Sequence, residues 1–280
     1  MLTQDKIEKY KGCVLQHGYY NDRIYLMKIT SLPSAELPYE LIDLAKTNGY
    51  SKIFGKVPES IAKNFLIAGY LEEARIPGFY SGKETAIFMG YYLNTERIKE
   101  PDIDKIDDIL KIALKKRSAG KVSCLDNRFV LRKCDKTDIS DMVKIYQDVF
   151  PSYPFPIHDP DYLLETMQNH IDYFGIETEG GLAAVSSAET DKEAANVEMT
   201  DFATLPEWRG NKFGQQLLTR MENEMKKKKF KTAYTIARAM SPGMNVTFSK
   251  LGYQFGGRLK NNTNISGRIE SMNVWFKALD

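Results

Sequence analysis

The chain has 280 residues, 42% hydrophobic and 27% charged, with 39 basic against 37 acidic side chains and a net charge of +2. This is the composition of a folded globular protein of about two domains, and it excludes a disordered, collagenous or low-complexity chain. The charge is balanced and interspersed, RNP, KH and zinc-finger patterns are absent, and no apolar run approaches the ~18 residues of a membrane-spanning helix, so neither nucleic acid nor a membrane is an expected partner.

The opening MLTQDKIEKYKG lacks the basic head and apolar segment of a secretory signal. Cys13, Cys124 and Cys134 are odd in number, far apart and without a CxxC, which argues against a disulfide framework or a zinc knuckle. His17, His158 and His170 lack the paired spacing of a metal site. A reduced, cytoplasmic protein without a bound metal is expected.

Along the chain, residues 13–29 place aromatic and branched side chains on either side of Asn21-Asp22, a hairpin pattern. A helix is predicted over 38–50, with Leu41, Leu44 and Ala45 on one face and a stop at Asn48-Gly49. A strand at 51–57, a helix at 58–69 and a strand at 84–94 follow, an alternating α/β order. Residues 102–116 carry Ile103, Ile106, Leu110, Ala113 and Leu114 on one helical face. The small, polar, basic stretch 116–127 reads as a domain boundary near residue 120, dividing the chain into 1–120 and 121–280.

The second part predicts a strand at 128–133 and a helix at 137–150 capped by Thr137 or Asp138. A proline-rich turn over 151–162 leads to a helix at 162–171, then a hairpin over 173–189 turns at Gly180-Gly181. Strand 196–205, helix 210–229, strand 231–239, helix 243–252 and strands 253–259 and 271–279 complete an α/β (α+β) order with a mixed sheet.

The junction at 206–218, PEWRGNKFGQQLL, runs from a strand into a helix. The first N–H groups of a helix lack intrahelical partners and carry the positive end of its dipole, so such a junction favours an anion. Gly210 and Gly214 permit close approach, Arg209 and Lys212 add charge, and Asn211, Phe213 and Gln215 complete the turn, which suits a diphosphate. Neither GxxxxGK[ST] nor GxGxxG is present. Arg-Gly ahead of a helix is common, so the order of elements matters as much as the turn.

That order and these residues resemble the GNAT superfamily of acetyl-CoA-dependent N-acetyltransferases over roughly residues 127–280. The family's diphosphate motif, [RQ]-x-x-G-x-[GA], is matched by Arg209 and Gly214, with Lys212 in place of the middle glycine. Residues 245–257, NVTFSKLGYQFGG, are similar to the family's pantetheine-flanking segment, which brings in Asn245 and Phe248. The resemblance implies that Phe202, Ala203, Thr204 and Leu205 polarise the thioester and pair with pantetheine. Many members have a tyrosine at the position of Phe248 to protonate the departing thiolate. Phenylalanine cannot donate, so either Tyr253 or water serves.

An amine of pKa ~10.4 must lose a proton before attacking a thioester, so a base is needed. Glu198 and Asp201 are the carboxylates of strand 196–205, and period-2 alternation predicts that only one faces the substrate; Glu198 is the preferred base. The segments GYYLNTERIKEP, ARAMSPGMN and LKNNTNISGRIESMNVW make the chain similar, within the superfamily, to β-lysine N-acetyltransferases. That likeness implies acetylation of the ε-amino group of β-lysine, giving N-epsilon-acetyl-β-lysine, a compatible solute. Such a substrate needs a carboxylate clamp, for which Arg238 or Arg268 is available, and an ammonium site, for which Glu270, Asp159 or Asn245 is available. Tyr153, Phe155 and His158 are placed to cover it. Lysine or a polyamine as acceptor, or a non-catalytic acyl-CoA sensor, are the alternatives. The sequence leaves open whether the chain is a monomer or a homodimer.

Residues 64–75 and 247–258 share Phe, Gly, Tyr and Arg at an offset of 183, which also pairs Ile53 with Ile236 and Met89 with Met272. The N-terminal part therefore reads as a degenerate half of the same unit, without a diphosphate turn, covering a sheet edge, extending the core or walling the cleft. Coincidence between two amphipathic α/β segments is the competing explanation.

Overall fold

The computed structural model describes residues 4–31, 33–117 and 125–279; Cys124 and the expected boundary near residue 120 lie outside them. The chain begins with an antiparallel meander of Lys6–Tyr10 (β1), Cys13–Gly18 (β2) and Arg23–Ile29 (β3). Lys11 and Gly12, both at positive φ, make the tight β1–β2 turn. Leu37–Asn48 (α1) stops at Gly49, whose left-handed backbone lets its N–H reach the carbonyl of Lys46. Lys52–Pro58 (β4), Glu59–Ile67 (α2), Leu71–Tyr80 (β5), Glu84–Tyr92 (β6) and Ile103–Lys115 (α3) follow.

The second part contains Val130–Lys133 (β7), Ile139–Val149 (α4), Pro160–Asn169 (α5), Ile171–Thr178 (β8), Gly181–Asp191 (β9) and Asn196–Thr204 (β10). It ends with Phe213–Lys227 (α6), Thr232–Arg238 (β11), Pro242–Lys250 (α7), Gln254–Ile265 (β12) and Arg268–Ala278 (β13). The cap expected at Thr137 or Asp138 sits earlier: Asp135 accepts from the Thr137 N–H, and Asp138 accepts from the Asp135 N–H. Two strands are additional to the sequence reading. β1 is a short edge strand, and β5 carries Glu72, Glu73, Arg75 and Pro77, residues that read as loop.

The thirteen strands of the described residues form one sheet, in the order β1-β2-β3-β4-β6-β5-β12-β13-β11-β10-β9-β8-β7. From the centre outward the order β5-β6-β4-β3-β2 on one side matches β12-β13-β11-β10-β9 on the other. The register follows the sequence offset as well. Ile53 pairs with Tyr91 between β4 and β6, Ile236 pairs with Val274 between β11 and β13, and 236 − 53 and 274 − 91 both give 183.

The two parts meet where Gly257 of β12 pairs with Ala74 of β5. Gly257 has φ +144°, and a Cβ there would stand 2.2 Å from the Glu73 carbonyl oxygen, so the approach requires glycine. Beside it, Lys52 and Glu73 form a buried ion pair at 2.9 Å, and Lys52 Nζ also donates to the Lys260 carbonyl at 2.7 Å. Arg97 adds a second stitch, donating through Nε to the Asn261 carbonyl at 2.9 Å. One core cluster draws on both parts, combining Tyr25, Phe54, Phe79 and Phe88 with Tyr146, Tyr153, Leu259 and Met272. Although α3 precedes the expected boundary, it packs on α7, where Ser249 Oγ donates to the Ala113 carbonyl at 2.6 Å.

Candidate active site

β10 and β11 run parallel and pair at three positions only, the last being Glu198 opposite Tyr234. Beyond that point they part, and a cavity of about 1500 Å³ opens into the gap. Its walls come from both ends of the chain: Arg23, Tyr25, Phe54 and Lys56 of β3 and β4 face a surface that includes Glu198, Asp201 and Tyr234. At the mouth, Lys28 of β3 bridges to Asp191 at 3.1 Å and Glu193 at 2.8 Å, tying the two parts across the opening.

The register of β9 against β10 shifts between Thr200 and Ala203, so Asp201 and Phe202 together oppose Ser186, and Asp201 takes φ +53°. This is a β-bulge, and it cancels the alternation that would have sent Glu198 and Asp201 to opposite faces. Both line the cavity, which corrects the expectation that only one does. Asp201 accepts hydrogen bonds from the Tyr153 hydroxyl and from Ser187 Oγ, the latter at 2.5 Å. Burial raises its pKa and these hydrogen bonds pull it back, so Asp201 is committed to holding Tyr153 and Ser187.

Glu198 is placed differently. It stands opposite Glu189 across the β9–β10 ladder and opposite Tyr234 across the β10–β11 ladder. Burial pushes its carboxyl up to about 7; Lys56 opposes this, Glu189 adds to it, and the Tyr234 hydroxyl opposes it. Glu189 is raised too, mainly by burial. Lys56 Nζ donates to the Tyr234 hydroxyl at 3.1 Å and lies 5.4 Å from the centre of its ring. A carboxyl held near neutrality in a cavity can take a proton from a bound amine at physiological pH.

The turn ahead of α6 borders the same cavity through Arg209, Gly210, Lys212, Phe213 and Gly214. Gly210 has φ +92° and open space within 4 Å of where a Cβ would stand, so backbone conformation rather than crowding requires glycine. Lys212, the residue in place of the family's middle glycine, adopts the left-handed conformation, φ 60° and ψ 25°, as the residue preceding the helix. This conformation is strained for a lysine, and it places a cation at the helix N-terminus. Phe213 is buried against Phe129 and Trp208, which anchors the helix start.

Among the other expected residues, Tyr153, Phe155, Phe202, Thr204, Phe248 and Arg238 line the cavity. Ala203, Leu205, Asn211 and Gln215 flank it in sequence without lining it, Asn211 instead donating to the Trp208 carbonyl at 2.9 Å. Tyr253 does not reach it: the ring is fully buried behind Phe248, at 5.1 Å between centroids, which removes it as a thiolate acid. Asn245 is equally buried and spent on structure, donating to the carbonyls of Arg238 and Ser241 and accepting from Asn273 and Trp275.

The expected carboxylate clamps are already clamped. Arg238 grips Glu270 with two bonds of 2.9 Å, and Arg268 pairs with Asp102 at 2.8 Å and Glu270 at 3.3 Å. Glu270 and Arg268 lie off the cavity wall. Asp159 caps α5 through the Asp161 N–H at 2.9 Å, and His158 Nε2 sits 3.3 Å from the Tyr146 carbonyl, so neither enters the cavity. Lys56, Tyr234, Glu189, Arg23 and Asn262 were missed. Lys56 and Arg23 belong to a part of the chain that carries no motif of its own; only the 183-residue echo pointed to it.

The sequence model for the acetyltransferase (GNAT) family matches residues 139–252, which contain Glu198, the bulge, the turn and the whole of α7. The chain is 37% identical over 273 residues to the beta-lysine N(6)-acetyltransferase of Methanococcus maripaludis, covering 98% of each chain. It is 34% identical over 264 residues to the enzyme of the same name from Methanosarcina mazei, covering 87% of this chain and 97% of the other. It is also 29% identical over 269 residues to N-acetyltransferase YodP of Bacillus subtilis, covering 95% and 96%.

Proposed function

This chain belongs to the acetyltransferase (GNAT) family, and on that premise we propose that it transfers an acetyl group from acetyl-CoA to the ε-amino group of β-lysine. The observation that carries the chemistry is Glu198, a carboxyl raised to about 7 at the point where β10 and β11 part, in the same cavity as the anion-favouring turn before α6. The acceptor comes from the two full-length relatives named for it.

In this reading the turn from Arg209 to Gly214 holds the diphosphate of acetyl-CoA through main-chain N–H groups, the α6 dipole and the charges of Arg209 and Lys212. The main-chain groups of β10 beyond Glu198, released from pairing with β11, are available to the pantetheine arm and the thioester carbonyl. Glu198 takes the proton from the ε-ammonium. Lys56 favours both partners of that step, keeping Glu198 ionised and disfavouring a second positive charge beside it. The freed nitrogen attacks the thioester carbon, the C–S bond breaks, and the second proton lost by that nitrogen passes through water to the departing thiolate, since Phe248 has none to give and Tyr253 is out of reach.

The N-terminal part, in this proposal, is a degenerate copy of the C-terminal unit that walls the acceptor end of the cleft. The equivalent strand order, the shared offset and the cavity residues it contributes support this. The reading is tested by thiol release from acetyl-CoA with β-lysine, α-lysine and spermidine offered separately, followed by mass and NMR location of the acetyl group. Turnover selective for β-lysine at its ε-nitrogen is expected. Preference for spermidine would transfer the assignment to polyamines, and CoA binding without turnover would leave an acyl-CoA sensor.

A further inference from the structure

Arg23 is only 3% exposed, yet it lines the cavity. Its Nη1 donates to the main-chain oxygen of Asn262 and, at 3.1 Å, to Thr263 Oγ1. Its Nε is buried without a hydrogen-bond partner. The neighbouring buried cations are matched, Lys52 by Glu73 at 2.9 Å and Arg97 by Asp22 at 3.1 Å. No carboxylate of the described residues forms an ion pair with Arg23. An unpaired guanidinium is costly to bury, and burial already lowers its pKa to about 10, which leaves it cationic at neutral pH.

Asn262, on β12, also lines the cavity and is 1% exposed, and its Oδ1 is a buried acceptor without a partner. The two residues come from opposite halves of the chain and are joined by the Arg23 bond to the Asn262 carbonyl. Two residues of the wall thus hold a donor edge, Nε with Nη2, and an acceptor, Oδ1, that no protein group satisfies. Buried polar groups without partners call for an explanation, and here a donor and an acceptor without partners lie side by side in residues of a cavity wall, which points to a ligand carrying both charges.

β-Lysine carries a carboxylate and an ammonium on neighbouring carbons, with three methylenes leading to the ε-nitrogen. Resting on the acceptor assignment above, we propose that Arg23 and Asn262 form its receptor: the Nε–Nη2 edge of Arg23 grips the carboxylate, and Asn262 Oδ1 accepts from the β-ammonium. The Arg23 guanidinium lies 5.3 Å from the Tyr25 ring and 5.6 Å from the Phe54 ring, and Lys56 lies 5.5 Å from the same Tyr25 ring. The receptor and the base site therefore share an aromatic wall suited to the methylenes. Specificity is set where the two halves of the chain meet, while the base belongs to the C-terminal half alone.

The test compares kcat/KM for β-lysine, 1,4-diaminopentane, which lacks only the carboxylate, and 6-aminohexanoate, which lacks only the β-ammonium. Wild-type enzyme is expected to prefer β-lysine over each. Arg23→Met lowers the ratio of β-lysine to 1,4-diaminopentane by roughly 10- to 100-fold, and Arg23→Lys restores part of it. Asn262→Leu lowers the ratio of β-lysine to 6-aminohexanoate by about 10-fold. Acetyl-CoA binding by each variant reports that it has folded. A fall on all three acceptors in parallel, with the ratios unchanged, would make the two residues structural and overturn the receptor. Wild-type enzyme that takes both analogues as well as β-lysine also overturns it, leaving acetyl transfer intact. No wild-type turnover of β-lysine removes the acceptor assignment itself, and the receptor with it.

Discussion

Lys56 reaches across the cleft from β4 and donates a hydrogen bond to the Tyr234 hydroxyl at 3.1 Å, the residue that faces Glu198 on the neighbouring strand. A lysine of the N-terminal half thereby acts on the carboxyl that the C-terminal half provides. Its ammonium opposes the burial that raises Glu198, and Glu189 acts in the opposite sense.

These opposed influences predict opposed pH shifts. In the proposed mechanism acetyl transfer requires ionised Glu198, so the acidic limb of kcat/KM in wild-type enzyme is expected near pH 7. Lys56→Met removes the charge that favours the carboxylate and moves that limb to higher pH. Glu189→Gln removes a like charge and moves it to lower pH. Full pH profiles of the two variants, compared with wild type, check both signs; movement in the same direction contradicts the assignment of Glu198 as base.

Glu198→Gln removes the base while preserving shape. It is expected to lower kcat by about 10²- to 10⁴-fold with acetyl-CoA binding retained. The same substitution stabilises the fold in a defined pH window. The folded carboxyl has a pKa of about 7 and an unfolded glutamate titrates near 4.3, so ionisation in the folded state costs stability as pH rises through that interval. Thermal melts should show the Gln variant above wild type at pH 8, with the difference gone below about pH 4.

Lys212 holds a left-handed backbone that glycine adopts without penalty. Lys212→Gly is expected to change stability by less than about 1 kcal/mol, in favour of glycine, because relief of strain is partly offset by the greater chain entropy of unfolded glycine. It also weakens acetyl-CoA binding severalfold, because a charge beside the diphosphate is lost. A melt and a calorimetric titration separate the two effects. Unchanged affinity shows that Lys212 shapes the turn without touching phosphate.

Gly257→Ala tests the junction of the halves. Its methyl group would overlap the Glu73 carbonyl oxygen, and the Ala74 main chain with it, on a strand held by the buried Lys52–Glu73 pair. A loss of at least about 2 kcal/mol is expected from overpacking at a site that cannot give way. Activity should fall with it, because β5 and β12 set how the two cavity walls face each other. Chemical unfolding curves and turnover measured on the same samples report both consequences.

Much of this was readable in the chain. Gly49 ended α1, residues 210–229 read as the helix that α6 forms, and Arg209 through Gly214 marked the turn ahead of it, because each signal depends on neighbours within a few residues. β5 escaped because its charges are local exceptions: Glu73 is tolerated inside the sheet only through Lys52, Tyr92 and the Lys260 N–H, none of which adjoins it in sequence. The alternation rule misplaced Asp201 for a related reason. A single extra residue reset the facing of the strand, and nothing in NVEMTDFATL announces a bulge.

Local periodicity and contiguous motifs were enough to specify the order of most helices and strands, the turn ahead of α6, the strand on which the proposed base lies and, through the 183-residue offset, the correspondence between the two ends of the chain. Which arginine is free was settled by folding. Arg238 and Arg268 looked available until Glu270 was brought beside them, and Arg23 looked unremarkable until it was buried beside Asn262, 239 residues away, without an acidic partner. Availability of a charge depends on what long-range packing places within a few ångströms of it, and that is information no local stretch of sequence contains.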